Sequence, residues 1–399
     1  MRVVAIGDVG VVDGMMHIGD EAMFAALVDA LRRRGVDEVT AISAAPADTA
    51  ARYGVGAIGR IGWSGPRSAM QQRLDAVRSA AGGARTLAAD DPATAVIEAV
   101  AAADAVVIAG GGNLASNWPA HVFERAALGA IAERLGRAVV ISGQTIGPWL
   151  EGGDRALVAG LLRSGRVVGV REHASLRLAD RLGVAPDRLA ANRDDASFLG
   201  VDGPRPGDDA REPYLLVSLS IHLAGLPRDD TITGLAAALD RLAERTGAPV
   251  RFHPHFGSLD ASVEAGDEVL HAAVRAAMRT PADLLQPGDP WSAARLARGA
   301  AMLVTSRYHP AVFAAPAGVP VAGLAADDYT EVKLHGATGW WGQDGVVPLG
   351  AVARGADGDA LGRAWDRRAD ARRAAEERHE QARAGSEAWF DRVAGALEG

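Results

Sequence analysis

The chain has 399 residues, enough for two or three domains that each bury a core, and 48% of them are hydrophobic, which excludes a disordered protein. A formal net charge of −8 argues against a general nucleic-acid or anionic-membrane binder, so any anionic ligand must be held by local positive groups. There is no cysteine, which removes disulfides, zinc ribbons and thiol catalysis.

The N-terminus shows no signal-peptide pattern, and no stretch reaches the roughly 18 uninterrupted apolar residues of a membrane span. Val3–Ile6 reads as a first strand, followed by a Gly-rich loop over 7–19. Asp20 is a good N-cap for an amphipathic helix running to Arg34 through Met23, Leu27 and Leu31. Val39–Ser43 is the second strand. The pattern then weakens between Tyr53 and Ala89, with a helix suggested over 70–80. Helices over 92–102 and 122–135 bracket an apolar strand, Ala105–Ala109, that runs into Gly110-Gly111-Gly112-Asn113. Ala138–Ser142 is a strand ending in Gly143-Gln144-Thr145-Ile146-Gly147-Pro148. Helix, strand and helix follow at 155–163, 167–170 and 174–182.

Alternation of this kind implies a mostly parallel sheet covered on both faces. Residues 201–213, rich in Pro, Gly and charge, form the best linker. A second alternating set begins with strand 214–218 and continues through helix 232–245, strand 250–253, and helices near 264–278 and 291–299. Residues 359–397 read as one or two long charged helices, with their arginines and acids on a solvated face, packing across a domain face. The expected architecture is α/β, with two Rossmann-like domains (1–205 and 206–350) around a cleft and a C-terminal helical segment, 351–399. Loops at the C-terminal ends of the strands should line the site.

The stretch 303–335 concentrates the chemistry. Strand Leu303–Ser306 leads into Arg307-Tyr308-His309, a helix is expected over 310–317 with Pro310 at its first position, and Val321–Leu324 is the next strand. Arg307 offers a bidentate anion clamp and His309 a proton that moves near neutral pH. Lys333 is the only lysine in the chain, and it lies just past this unit. Arg171, at the end of strand 167–170, is a candidate second clamp that Asp194-Asp195 would hold; a salt bridge to Glu172 or Asp180 is the plainer reading. In the plainer reading Asp20 simply caps its helix; the sharper reading has Asp20 or Glu21 facing the cleft to bind or activate an acceptor hydroxyl. Gly111, Gly112, Asn113 and Gln144 suit close ligand approach, although neither a dinucleotide fingerprint nor a Walker motif is present. In His253-Pro254-His255, the intervening proline and the lack of Cys argue against a metal pair. His222 is the better cleft candidate. Trp340-Trp341 suits either a sugar ring or core packing.

Gly19-Asp20-Glu21, Gly110–Gly112, Gly143–Pro148, Val170-Arg171-Glu172 with Ser175, Ser306-Arg307-Tyr308-His309 and Tyr329–Lys333 occur in an order that resembles the polysaccharide pyruvyl transferase family. His17 stands where that family usually has Asn, and 205–300 match little beyond the strand–helix rhythm. The resemblance implies a glycosyltransferase-B-like fold and ketal formation from phosphoenolpyruvate on sugar hydroxyls. Phosphoenolpyruvate then serves as co-substrate, with no further cofactor and no metal. The expected roles are His309 as general acid, Arg307, Arg171, Lys333 and Ser306 on the donor, and His17, Asp20, Glu21, Gly111, Gly112, Asn113, Gln144, His222 and Trp340 lining the acceptor side or cleft. The expected partner is a sugar, glycan or lipid-linked saccharide, with no nucleic acid; a homo-oligomer stays open. The expected location is the cytoplasm, at the inner membrane face if the acceptor is lipid-linked. Two alternatives stand beside this: a glycosyltransferase of the same architecture using a nucleotide sugar, with Glu331 on the ribose, or a non-catalytic binding protein of the same fold.

Overall fold

The computed structural model describes residues 1–201, 212–356 and 358–398. It divides into two compact units, one made of residues 1–12, 23–195 and 384–399, the other of 13–22 and 196–383. The expected boundary at 205/206 and most of the expected linker 201–213 lie outside the described residues. The units are not the contiguous blocks expected from the sequence. Residues 13–22 belong with the second unit and 384–399 with the first.

The first unit is built on a parallel sheet in the order Gly56–Gly59, Glu38–Ser43, Arg2–Ile6, Ala105–Ile108, Ala138–Ile146, Val167–Val170, Leu189–Ala191, with Gly111–Leu114 paired to Ala138–Ile146. Its central strands are buried on both faces, and all nine residues of Ala138–Ile146 are buried. This is why they read as continuous apolar runs rather than alternating ones. The register aligns Ile58, Ile42, Ile6, Ile108 and Ile141 in one row across five strands. Such a row suits β-branched side chains, and each fully buried isoleucine contributes about 1.5–3 kcal/mol. The weakly patterned region resolves into strand Gly56–Gly59 and helix Arg67–Ala81, and helix Pro46–Tyr53, which the sequence reading does not assign, precedes it. Two sequence assignments change. Gly111–Leu114, to which the sequence reading assigns no element, is a strand, and Ala138–Ser142 extends to Ile146, so that Gln144 lies within a strand.

The second unit has a parallel sheet in the order Ala282–Leu284, Val250–Phe252, Leu215–Ser218, Met302–Thr305, Val321–Ala325, Val346–Pro348. Strand Met15–His17 pairs antiparallel with Phe256–Ser258, which draws residues 13–22 into this unit. The Ile18 N–H donates to the His255 carbonyl (3.0 Å), the Leu259 N–H to the Gly14 carbonyl (2.9 Å), and the His17 ring stacks on Phe256 at 4.0 Å. The following helix therefore starts at Ile18, and Asp20 sits in its first turn rather than capping it. No helix among the described residues is long and apolar enough to cross a membrane.

The C-terminal helices are Ala360–Asp366 and Arg368–Leu397. The longer one carries a stripe at helical spacing, Ala371, Ala375, Ala382, Ser386, Trp389, Val393 and Leu397, all buried, so only its other faces are solvated. Within the first unit, Arg34 pairs with Glu387 (2.7 Å) and Asp391 (2.8 Å). The Trp389 indole N–H donates to Ser142 Oγ at 2.9 Å, and a Cβ on Gly169 would sit 2.2 Å from the Trp389 ring, so Gly169 is what lets the indole lie on the sheet. We predict that Trp389→Ala costs about 3–5 kcal/mol, the usual range for emptying a buried aromatic site. Urea unfolding of the full chain measures it, and a loss below about 1 kcal/mol, the level of an ordinary surface change, would contradict the anchoring role.

Candidate active site

In the second unit, strand Met302–Thr305 ends in Ser306, and helix Tyr308–Ala314 begins two residues earlier than the sequence suggested, with Arg307 as its N-cap. Pro310 lies inside the first turn, where backbone N–H groups have no helical partner in any case, so its missing donor costs nothing. His309 is therefore on the helix rather than in the preceding turn. Thr305 Oγ1 accepts from the Arg307 N–H (2.9 Å), and Ser306 Oγ accepts from the Ser220 N–H (2.8 Å), which fixes the turn from both sides.

Arg307 places Nε 2.9 Å from Asp267 Oδ2 and Nη2 on Oδ1, a bidentate pair with a carboxylate that is 0% exposed. The same carboxylate accepts from the backbone N–H groups of Phe256 (2.9 Å), His255 (3.2 Å) and Ile221 (3.3 Å). A guanidinium carries five N–H donors. Asp267 takes two of them, and the Arg307 side chain remains 23% exposed. His309 is half-buried, edge-on to Tyr308 at 5.0 Å. A Cβ on Gly19 would lie 1.8 Å from His309 Nδ1, so the glycine of the Gly19-Asp20-Glu21 segment is the seat of this imidazole. Any other residue at 19 would displace the ring.

Lys333, on helix Asp328–Gly339, donates to the Tyr329 hydroxyl at 3.3 Å and lies over the Tyr329 ring (4.5 Å) and the Tyr308 ring (5.4 Å). Two aromatic faces thus hold the ammonium beside the Arg307–His309 turn. His222 is exposed and bonded to Asp327 Oδ2 at 2.9 Å, at the N-cap of that helix. Burial opposes ionisation of Asp327, but the bonds from His222 and Thr330 outweigh it and hold its carboxyl below the usual range. Glu331 is exposed, 3.8 Å from His335. Trp340 is half-buried, whereas Trp341 is a core residue against Phe198 and His379. His17 is exposed, Asp20 half-buried and Glu21 buried.

Behind the turn stand three buried histidines. Burial pushes His253 and His271 down to about 4 and His255 well below the ordinary imidazole value. His253 Nε2 bonds to the Pro287 carbonyl and His271 Nε2 accepts from the Leu219 N–H, both at 2.8 Å. They are neutral near pH 7, so they add no charge beside Arg307. Sequence reasoning missed Asp267; its one signal is the Gly266-Asp267-Glu268 helix start.

In the first unit, Arg171 is 1% exposed, with Nη1 on Asp194 Oδ2 and Nε on Thr145 Oγ1, both at 2.8 Å. Asp194 is thus the partner that holds it, and Glu172 lies farther off at 3.9 Å. The guanidinium is enclosed, so in this geometry it offers a ligand no solvent-facing edge. Gln144 is wholly buried and donates to the Ala109 carbonyl, fastening the Gly110–Gly112 segment. Gly111 is buried, Gly112 is half-buried, and Asn113 donates to Asp8. Asp195 accepts from Ser142 Oγ at 3.0 Å, and burial together with neighbouring Asp194 raises it to about 7. The group is protonated in the fold at a pH where the unfolded chain has lost the proton. Its stabilisation is therefore full below about 4 and lost as pH rises through about 7. We predict that Asp195→Asn, which cannot ionise, gains melting temperature relative to the unsubstituted chain between pH 5 and pH 8. A constant difference over that range would contradict the shift.

Comparison with known proteins agrees with this architecture. The solved structures it resembles include the Staphylococcus aureus MnaA–UDP co-structure (TM-score 0.60, 12% identity, 94% of each chain covered). They also include a putative UDP-N-acetylglucosamine 2-epimerase from Listeria monocytogenes (0.59, 14%, 94% of each chain) and the calicheamicin glycosyltransferase CalG4 (0.53, 16%, 100% of this chain and 98% of that one). At these identities the likeness is one of fold, glycosyltransferase-B-like. No curated protein sequence matches. The family model for polysaccharide pyruvyl transferase matches residues 17–328, from His17 through the Arg307–His309 turn and ending short of Lys333, and the chain belongs to that family.

Proposed function

We propose that the protein transfers a pyruvyl group from phosphoenolpyruvate to two hydroxyls of a sugar or glycan, forming a ketal and releasing phosphate. Family membership supports a transferase acting on a glycan. The observation that carries the donor is the grouping of Arg307, His309 and Lys333 around Tyr308. It combines a guanidinium with three N–H donors beyond those on Asp267, a titratable imidazole and an ammonium held on aromatic faces. A donor bearing both a carboxylate and a phosphate needs cations at fixed spacing. Ser306 shapes the turn rather than reaching out, since its hydroxyl is engaged by the Ser220 N–H.

In this reading His309 gives a proton to the methylene carbon, which becomes the methyl group, while the adjacent carbon becomes oxocarbenium-like. One acceptor hydroxyl attacks that carbon, phosphate leaves with its C–O bond electrons, and the second hydroxyl closes the ketal. One hydroxyl proton replaces the one His309 gave, and the other leaves with phosphate. The enclosed Arg171 orders its strand end through Asp194 and Thr145 rather than touching the donor.

His309→Ala should cut turnover by about 10²–10⁴-fold, the usual worth of a general acid, while phosphoenolpyruvate still raises the melting temperature. Arg307→Ala should abolish that thermal shift. A shift with UDP- or GDP-sugars alone, in place of phosphoenolpyruvate, would contradict the donor assignment and favour a nucleotide-sugar glycosyltransferase.

A further inference from the structure

A second polar cluster lies at strand ends within the first unit. Asp8 follows strand Arg2–Ile6, Arg60 follows Gly56–Gly59, Asn113 lies in Gly111–Leu114, and His121 and Arg125 lie on helix Pro119–Arg134. Asp8 Oδ1 receives Arg125 Nη2 at 2.9 Å, His121 Nδ1 at 3.0 Å and Arg60 Nη2 at 3.2 Å, and Oδ2 receives Asn113 Nδ2. Burial opposes ionisation of Asp8, but Arg125, the His121 bond and Arg60 together hold it far below the carboxylate range. The bond to Asp8 fixes a proton on His121 Nδ1, with Arg125 Nη1 farther off at 3.4 Å, and in the neutral ring this makes Nε2 an acceptor.

Three features point to a ligand. The ends of parallel strands are where open α/β sheets bind one. Asn113 Oδ1 and Gln144 Oε1, on side chains 7% and 0% exposed, have no hydrogen-bond partner among the described residues. Trp118 is 45% exposed and stands edge-on to His121 at 6.3 Å. Its loop is pinned by the Ser116 N–H on the Trp149 carbonyl and the Trp118 N–H on the Ala115 carbonyl, both at 2.9 Å. A large ring held at the surface by its own backbone is a face on which an apolar ligand surface can lie.

The charges select the chemistry. Asp8 and the buried Glu124, which accepts from the Ile61 N–H at 2.8 Å, set two carboxylates against Arg60 and Arg125. Such a cluster does not concentrate positive charge for an anion. It suits a neutral ligand with hydroxyls on its rim and C–H groups on its face. We propose that Trp118, His121 and Asp8 form a saccharide subsite, in which a pyranose lies on Trp118 and one hydroxyl donates to His121 Nε2. On the transfer reading above, the saccharide held here is the acceptor. The binding itself does not depend on the donor.

Saturation-transfer NMR on the full chain with the methyl glycosides of galactose, glucose and mannose tests this without requiring turnover. At least one should receive saturation from the protein. Trp118→Ala and His121→Ala should each weaken it about tenfold, the scale of one lost stacking face or hydrogen bond, while Trp118→Phe keeps it. The phosphoenolpyruvate thermal shift should persist in all three variants. No transfer to any of the three glycosides, or full transfer in Trp118→Ala, would overturn the subsite. Saccharide binding without a phosphoenolpyruvate shift would leave the subsite standing and remove the donor reading.

Discussion

The pairing of Arg307 with Asp267 is the constraint on which the second unit's Arg307–His309 turn depends. A carboxylate with no solvent exposure is tolerable only when its lone pairs are filled, and Asp267 fills them with the Arg307 fork and three backbone N–H groups. Those donors come from the segments after Leu215–Ser218 and Val250–Phe252 and from the N-cap of Tyr308–Ala314, so one side chain ties the ends of three central strands together. Removing one partner of a buried pair of this kind typically costs about 3–5 kcal/mol, because the other charge is left uncompensated. The pair also sets the direction of the guanidinium, whose remaining donors face away from Asp267.

Electrostatic quiet around the turn follows from burial. His253, His255 and His271 stand close behind it, yet burial keeps all three neutral near pH 7. Arg307, Lys333 and His309 are the basic groups that the described contacts place beside Tyr308. Gly19 sets the last of these physically, since its missing Cβ is the space the imidazole occupies. The Gly19-Asp20-Glu21 segment thus connects to His309 through its glycine, while Glu21 is buried and Asp20 lies in the first turn of its helix.

Much of the fold was legible in the sequence because doubly covered parallel strands leave unbroken apolar runs, and stretches such as Ala105–Ile108 and Met302–Thr305 admit few other readings. What stayed hidden is long-range or small. Strand Met15–His17 has three residues and a partner in the other half of the chain, so no local periodicity marks it, and only its pairing moves residues 13–22 into the second unit. Pro310 looked like a helix start because proline is accepted throughout the first turn, which made the boundary two residues late. Arg307, His309 and Lys333 were legible from residue type and placement. Arg171 was legible as an arginine at a strand end, but its enclosure by Asp194 and Thr145 depends on packing. Of the Asp8 cluster only Asn113 was legible, since Asp8, Arg60, Asn113 and the helix bearing His121 and Arg125 are far apart in sequence and only the parallel sheet assembles them.

Pyruvyl transfer is tested most simply by following phosphoenolpyruvate labelled with carbon-13 at its methylene carbon, in the presence of a methyl galactoside, by carbon and phosphorus NMR. A new methyl signal attached to a ketal carbon should appear in step with one inorganic phosphate per ketal. Phosphoenolpyruvate that stays intact with every saccharide offered, or phosphate that appears only with free pyruvate, would contradict the transfer.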